Sequence, residues 1–94
     1  MTDNKLTKLP LNIAKLKKLE KLNLDYNELV QLPKSIGQLT NLQELTLEGN
    51  FLEGLPQEIA NLNKLRLLEL TDNYSLNVDR DEVHNWLPNC KIIW

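Results

Sequence analysis

The sequence predicts an α/β solenoid, in which similar coils stack with a parallel sheet on the concave face and short helical or 3₁₀ turns on the convex face. Two observations lead to this fold class. Leucine supplies 22 of the 94 residues, and a shift of 23 residues superposes identical residue types in nine columns. A unit this short cannot bury its own leucines, so successive units must stack to form a continuous core.

Each unit contains two periodicities. The pattern Leu22-x-Leu24 alternates with period two, which is typical of a short strand with one buried face. The pattern Pro33-x-x-Ile36-x-x-Leu39 repeats every three residues, with proline at a position where the first helical turn tolerates it. A spacing of three favours a 3₁₀ turn over a long α-helix. Because strands need less space per unit than helical turns, we expect the array to curve with its sheet inside.

One column of the repeat is polar and needs its own explanation. It consists of Asn4, Asn27, Asn50 and Asn73. Each asparagine follows a strand where the chain turns inward, and a side-chain amide offers two donors and an acceptor to the backbone of such a turn. Four occurrences in register therefore predict a buried structural ladder and not a binding site.

The segment from Leu19 to Leu39 fits the pattern LxxLxLxxNxLxxLPxxIxxL without a gap. It resembles the leucine-rich-repeat family, in the 23-residue form found in bacterial and Ras-group proteins. The resemblance implies a right-handed curved solenoid whose strand face binds proteins. We interpret residues 1–94 as a single domain, with repeat coils over 1–76 and a capping helix and strand over 77–94.

The two ends of the chain depart from the repeat. Met1 falls in the column of Leu24, so the first coil has no polar cap, and an open stack end is expected. The side chains at that end belong to Leu6, Leu9, Ile13 and Leu16. Such an end is consistent with a longer repeat array, with self-association through this coil, or with a chain that tolerates the exposure.

At the carboxyl end, Asp79 followed by Glu82 has the pattern of a helix N-cap with an acid three residues later. Pro88 is expected to end this helix. The spacing Leu87-x-x-Cys90-x-Ile92 then restores the LxxLxL pattern, which predicts a last strand within residues 89–94. This alignment places Cys90 in an inward leucine column, as a small buried thiol.

No catalytic constellation is present in the sequence, so the chain is predicted not to be an enzyme and to need no cofactor or metal. His84 is the only histidine, and it lies in the predicted cap helix, away from any nucleophile. Cysteine and histidine do not occur at metal-ligand spacing. The net charge of −2 provides no basic surface for nucleic acid or membrane. A polar amino terminus and one unpaired cysteine predict a cytoplasmic protein.

The strand face is the remaining candidate for a site, since alternate strand residues must point outward. The predicted partner-binding residues are Lys21, Asn23, Asp25, Tyr26, Glu44, Thr46, Glu48, Leu67, Glu69 and Thr71. The last strand is expected to continue these columns with Asn89, Lys91, Ile93 and Trp94. Tyr26 and Leu67 are the most informative, because they are large and have no slot in the core.

Asp25 and Glu48 place like charges on neighbouring strands, which a basic group on a partner would relieve. We therefore interpret the chain as a protein–protein interaction module that binds a partner on its concave strand face. Two alternatives stay open. The chain is either a regulatory repeat segment of a larger GTPase- or kinase-linked signalling protein, or a structural or truncated repeat piece without a specific ligand.

Overall fold

The computed structural model describes residues 5–94. Within these residues, four short strands alternate with helical segments. The strands are β1 (Lys21–Asn23), β2 (Glu44–Thr46), β3 (Leu67–Glu69) and β4 (Lys91–Ile93). Three 3₁₀ helices span Leu11–Lys15, Lys34–Gln38 and Gln57–Asn61, and one α-helix, α1, spans Arg80–Trp86. The predicted positions of Met1 and Asn4 lie outside the described residues.

The strands form one parallel sheet in chain order, β1-β2-β3-β4. The predicted register holds for the first three strands, because Leu22, Leu45 and Leu68 lie side by side. We count a coil from the start of one strand to the residue before the next, which gives coil 1 (21–43), coil 2 (44–66) and coil 3 (67–90), preceded by residues 5–20. The coils stack into the predicted solenoid.

The 3₁₀ helices form the convex side, and the period-three pattern accounts for them. Proline precedes each one in extended conformation, and each first ring closes between the residue three positions later and the proline carbonyl. A 3₁₀ helix has three residues per turn, so Ile36 and Leu39 project on the same side. Both side chains are completely buried, as are Leu45 of β2 and Leu47 just after it. The core is therefore one continuous cluster of stacked leucines and isoleucines that runs through all coils.

The asparagine ladder is buried as predicted. Asn50 Oδ1 accepts the Leu29 N–H of the preceding coil at 3.1 Å, and its amide nitrogen donates to the carbonyls of Leu24 and Leu47 at 3.0 Å. Asn27 and Asn73 bond in equivalent ways to the segments before them. Each ladder amide therefore joins two neighbouring coils through backbone groups that have no strand partner.

Close contact between the second and third 3₁₀ helices depends on Gly37. A Cβ atom built at Gly37 would lie 2.5 Å from the backbone oxygen of Glu58 and 3.0 Å from its Cβ. A backbone oxygen cannot move aside as the end of a long side chain can. The absence of a side chain at Gly37 thus sets the distance between coils 1 and 2 on the convex side.

The open stack end at the amino side is only partly as expected. Leu9 and Ile13 are buried, contrary to the prediction that they would be presented at an open end. They are covered because they pack inward onto the core of coil 1. Leu16 differs, with 51% of its surface exposed, whereas its counterparts Leu39 and Leu62 are enclosed by coils on both sides. Self-association through this end stays a prediction.

The carboxyl end begins as predicted. The Asp79 side chain accepts the Glu82 N–H at 3.2 Å and caps α1, whose Val83 is buried. The predicted register of the last strand, however, is wrong. Lys91 pairs with Leu67 and Ile93 with Glu69, whereas Asn89 and Lys91 were expected at those positions.

The two-residue difference in β4 has a structural cause. The Cys90 N–H donates to the Leu87 carbonyl, in the way that the Leu65 N–H donates to the Leu62 carbonyl. Leu87 therefore occupies the column of Leu62 and not the column of Leu65, and the segment between Cys90 and the strand is one residue shorter than in coil 2. Because α1 replaces a 3₁₀ helix in this coil, the spacing of the other repeats could not predict the register of β4.

The new register moves Trp94 from the predicted concave column to the side of the core. Its ring is partly buried against the core cluster. The Arg80 guanidinium lies 4.9 Å from the ring centroid, and the His84 ring meets it edge-on at 5.8 Å. The last residue therefore helps to hold α1 against the final strand. Within residues 5–94, no helix is long and apolar enough to cross a membrane.

We expect Asn50→Ala to destabilise the fold strongly. The change leaves the buried Leu29 N–H without a partner, which costs about 1–3 kcal/mol. It also removes one of two donors from each of the Leu24 and Leu47 carbonyls, which keep their bonds to Asn27 and Asn73, at about 0.5–1.5 kcal/mol for each lost bond. The free energy of unfolding measured in urea should therefore fall by more than about 2 kcal/mol. Asn63→Ala, at an exposed turn position, is the matched control and should change it by less than about 0.5 kcal/mol. Equal effects of the two changes would contradict the ladder.

Gly37→Ala and Gly54→Ala should have opposite effects on stability. The new Cβ at Gly37 meets the Glu58 backbone, so we expect a loss of about 1–3 kcal/mol from overpacking. A Cβ at Gly54 meets nothing within 4 Å, and Gly54 has no positive φ. Alanine there should be neutral or stabilise by about 0.4–1 kcal/mol through the unfolded chain. Urea unfolding of both variants checks the pair, and a neutral Gly37→Ala would show that the coils separate at little cost.

Candidate functional site

The concave face carries the predicted residues in the predicted columns for β1 to β3. Lys21, Glu44 and Leu67 form one row across the sheet. Asn23, Thr46 and Glu69 form the next row. Asp25, Glu48 and Thr71 follow at the carboxyl ends of the strands, where the backbone N–H of each is accepted by a side chain and not by a neighbouring strand. As binding residues, all of these stay predictions.

Tyr26 lies at the carboxyl edge of the sheet with 49% of its surface exposed. Its backbone has a φ of 57°, in the left-handed region that residues other than glycine seldom adopt. The ring lies against Gly49, where a Cβ atom would come within 2.6 Å of Tyr26 Cδ1. Gly49 also has a positive φ, of 70°. The glycine therefore serves both the turn of coil 2 and the seating of the aromatic ring.

The hydroxyl of Tyr26 donates to Glu48 Oε1 at 2.5 Å. This hydrogen bond is the main reason that the pKa of Tyr26 rises from 10.0 to about 12, and the charges of Glu48, Asp25 and Asp72 act in the same direction. Tyr26 is therefore a neutral donor throughout the physiological range. Its ring is held at one end by Gly49 and at the other by Glu48, so its position is defined before any partner arrives.

Asp25 and Glu48 do not form the unrelieved like-charge pair that the sequence predicted. Asp25 Oδ1 accepts the backbone N–H of Glu48 at 2.8 Å, while the Glu48 carboxylate accepts the hydroxyl of Tyr26. Hydrogen bonds from these donors stabilise both charges within the chain. A basic group on a partner is therefore not required to relieve these charges, because the turn itself supplies the donors.

Glu44 lies between two basic residues on the same face. Its carboxylate is 3.7 Å from the Lys21 ammonium and 3.7 Å from the Arg66 guanidinium. The side chains of Lys21 and Arg66 are well exposed, so these pairs contribute little to stability. They do determine the charge of this part of the face: Lys21 and Arg66 are positive at its two edges, and Glu44 is negative between them.

Two further predicted residues turn out to be structural in part. The Glu69 carboxylate accepts both the backbone N–H and the hydroxyl of Thr71, which fixes the turn after β3. The hydroxyl oxygen of Thr46 is enclosed and has no hydrogen-bond partner among residues 5–94. It is therefore not accessible to a partner, although the rest of the Thr46 side chain is partly exposed.

The two side chains with potentially reactive groups, Cys90 and His84, make packing contacts. Burial raises the pKa of the Cys90 thiol to about 11, so the thiol is protonated at neutral pH and a weak nucleophile. The Nε2 atom of His84 accepts a long hydrogen bond of 3.4 Å from the Trp94 indole. Among residues 5–94, no three His, Cys, Asp or Glu side chains are grouped so that they could hold a metal ion.

Three exposed apolar residues were missed by the sequence reasoning. They lie on the side of the solenoid between the strands and the 3₁₀ helices, which we call the lateral face, and they are Val30, Phe51 and Tyr74. Phe51 and Tyr74 each follow a ladder asparagine directly, while Leu52, one residue further, is enclosed. Their positions contain different residue types from coil to coil, so a search for repeated columns passed over them.

The hydrogen bond between Tyr26 and Glu48 can be tested by titration. In a Tyr74→Phe background, tyrosinate absorbance should follow Tyr26 alone and give a pKa of about 12. Glu48→Gln keeps an acceptor but removes its charge, so the pKa should fall towards 10.0. Because the folded-state pKa is raised, the stabilisation from this proton is complete below pH 10.0 and is lost as the pH rises through about 12. A pKa unchanged by Glu48→Gln would disprove the contact.

Comparison with known proteins agrees with this architecture. The sequence profile of the family described as "Leucine-rich repeat region" matches residues 1–85. A search of curated protein sequences gives no significant match. Among solved structures, the Leptospira interrogans leucine-rich-repeat protein LIC12759 is 43% identical, with a TM-score of 0.94 over the whole of this chain.

A second similar structure is the leucine-rich-repeat domain of the type III effector XCV3220 (XopL), which is 32% identical over 82% of this chain with a TM-score of 0.77. The present chain spans 24% of the Leptospira chain and 26% of the effector chain. Proteins with this fold are generally non-catalytic scaffolds that bind other proteins. The profile match, the asparagine ladder and the stacked coils show that the chain belongs to the leucine-rich-repeat family.

Proposed function

We propose that the chain binds a protein partner on its concave strand face and has no enzymatic activity of its own. The observation that carries this proposal is the half-exposed ring of Tyr26, held at the sheet edge by Gly49 and Glu48. Aromatic residues in such positions contribute disproportionately to the energy of protein interfaces. Cytoplasmic localisation stays a prediction.

The rigidity of Tyr26 supports a binding role. An aromatic side chain that is free to rotate loses conformational entropy on binding, at a cost of about 0.5–1.5 kcal/mol for a rotamer-rich residue. The seat on Gly49 and the bond to Glu48 restrict the ring in the unbound protein. Tyr26 also adopts a left-handed backbone conformation that costs about 1–2 kcal/mol for an L-residue. Asparagine or glycine would fit this turn with less strain, so tyrosine serves something other than the turn.

Charge divides the concave face into two zones. Lys21, Arg66 and Lys91 lie at or next to the beginnings of the strands, where Glu20 and Glu44 offset part of their charge. Asp25, Glu48 and Asp72 lie beyond the strand ends, around Tyr26. Such a division of charge determines the orientation of a bound partner more than its affinity, because complementary charges favour one direction of docking over its reverse. We therefore expect a partner that presents acidic groups to the strand starts and basic groups to the Tyr26 edge.

Leu67 is the first residue of β3 and therefore lies within the strand-start zone of the face. Its side chain is partly exposed on β3, in the row that also contains Lys21 and Glu44. An apolar residue at an outward strand position gives a partner some area to bury at about 25 cal/mol per Å². Tyr26 and Leu67 together provide the apolar contacts of the proposed interface, and the charged residues form its rim.

The proposal predicts where a partner can be cross-linked. A photo-reactive amino acid at Thr71, on the concave face, should yield a covalent adduct with a cellular protein, and the same group at Gln57, on the exposed convex side, should not. Adding Tyr26→Ala with Leu67→Ala should reduce the Thr71 adduct by about tenfold or more, since each lost anchor costs over 1 kcal/mol. Circular dichroism controls for folding.

Adducts of equal yield from Thr71 and Gln57 would contradict concave-face binding. An adduct at Thr71 that survives the double change would show that Tyr26 and Leu67 are not its anchors. The first of these results would favour a structural repeat segment whose concave face has no specific partner.

A further inference from the structure

The lateral face presents apolar side chains that the core does not use. Val30 is 43% exposed, Phe51 55% and Tyr74 89%. We call these three residues the lateral strip. Large apolar groups that occur singly on a surface need no explanation, but a contiguous set marks an interaction site. The question is therefore whether the three lie together.

Backbone hydrogen bonds place them on adjacent coils. The Phe51 N–H donates to the Leu29 carbonyl at 2.9 Å, and the Glu53 N–H donates to the Val30 carbonyl at 3.0 Å. The segment after Asn50 thus runs beside the segment after Asn27, with Phe51 abreast of Val30. Tyr74 has the same position after Asn73 as Phe51 has after Asn50. Val30 and Phe51 are therefore neighbours on coils 1 and 2, and Tyr74 lies on coil 3.

A shallow groove continues the strip towards the convex side. It has a volume of about 430 Å³ and lies between coils 1 and 2. Val30 forms one end of it, and Pro33, Leu55 and Pro56 supply apolar walls. Gly54 lies in its lining and leaves it open, since a Cβ there would meet no atom within 4 Å. The groove is large enough for one or two side chains of a bound segment.

Carboxylates border the strip, while the lining of the groove also contains Lys34. Glu28 precedes Val30 by two residues, Glu53 follows Phe51 by two, and Asp72 accepts the hydroxyl of Tyr74 at 3.0 Å. The two glutamates form no ion pair within residues 5–94, where the ion pairs involve Glu44. An apolar strip between carboxylates is complementary to a chain in which apolar residues alternate with lysine or arginine.

We propose that the lateral strip is a second docking surface, occupied by an extended basic segment of a partner protein. The width of the strip, roughly 10 Å over three coils, is spanned by about three residues of extended chain at about 3.3 Å each. One apolar side chain of that segment enters the groove beside Gly54, and its basic neighbours meet Glu28 and Glu53. This surface lies outside the concave face, so it is independent of the function proposed above.

A synthetic peptide can test the proposal without knowledge of the natural partner. The probe is a fluorescein-labelled, terminally blocked peptide of alternating lysine and valine or phenylalanine, and binding is measured by fluorescence anisotropy at low salt. We expect Val30→Ser with Phe51→Ser to weaken binding by about tenfold or more. Gly54→Trp should do the same by filling the groove. Tyr26→Ala with Leu67→Ala should leave binding within about twofold of wild type.

Each control separates the lateral strip from another explanation. Gly54→Trp leaves the strip residues in place, and thermal melting shows whether each variant is folded. A peptide with glutamate in place of lysine should not bind, and high salt should weaken the lysine peptide because exposed charges are screened.

Four outcomes would overturn the proposal. They are no binding to wild type, equal binding to the Val30/Phe51 double variant, equal binding of the glutamate peptide, and loss of binding only with the Tyr26/Leu67 variant. The last result would place the basic segment on the concave face. Tighter binding of a helical peptide of the same composition would also exclude an extended occupant.

Discussion

The buried amide of each ladder asparagine is the interaction on which the rest of the structure depends. A coil of this length must turn inward after every three-residue strand. At that turn the backbone groups no longer form hydrogen bonds with a neighbouring strand. Asn50 pairs one such N–H and two such carbonyls, in two different coils. Without these bonds the leucine column could not close, because buried backbone groups need partners as much as the side chains need burial.

Both proposed surfaces follow from this ladder. The residue before each ladder asparagine stands at the edge of the concave sheet, where the chain has a left-handed conformation at Tyr26, Gly49 and Asp72. The residue after it, such as Phe51, leaves the turn on the lateral face. Since the asparagine is fixed on both sides by hydrogen bonds, its two neighbours are held as well. The repeat thus produces two rows of well-positioned side chains, and evolution can vary these rows without affecting the core.

The sequence predicts the fold almost completely, because the fold is repetitive. Identical columns identify the inward leucines, the ladder and the 3₁₀ turns, and these positions are the same in every coil. The register of β4 could not be predicted, because Leu87 lies in the column of Leu62 and the segment between Cys90 and β4 is one residue shorter than its counterpart in coil 2. A repeat pattern carries no information about a segment that departs from it.

The candidate site was predicted less well, for a different physical reason. Strand alternation correctly gave the outward rows of the strands, including the position of Leu67. It could not show that Asp25 and Glu48 find hydrogen-bond donors in the turn, which depends on atomic positions. It also overlooked Phe51, although an apolar residue between the buried Asn50 and Leu52 is a signal visible in the sequence.

Native-state hydrogen exchange tests the central role of the ladder most directly. The amides of Leu29 and Leu52 lie in irregular segments, yet they donate to Asn50 and Asn73. We predict that both exchange only through global unfolding, with protection equal to that of the Leu45 amide in the central sheet. Exchange of Leu29 and Leu52 at the rate of exposed loop amides would contradict the account, because the coils would then be joined by their leucines alone.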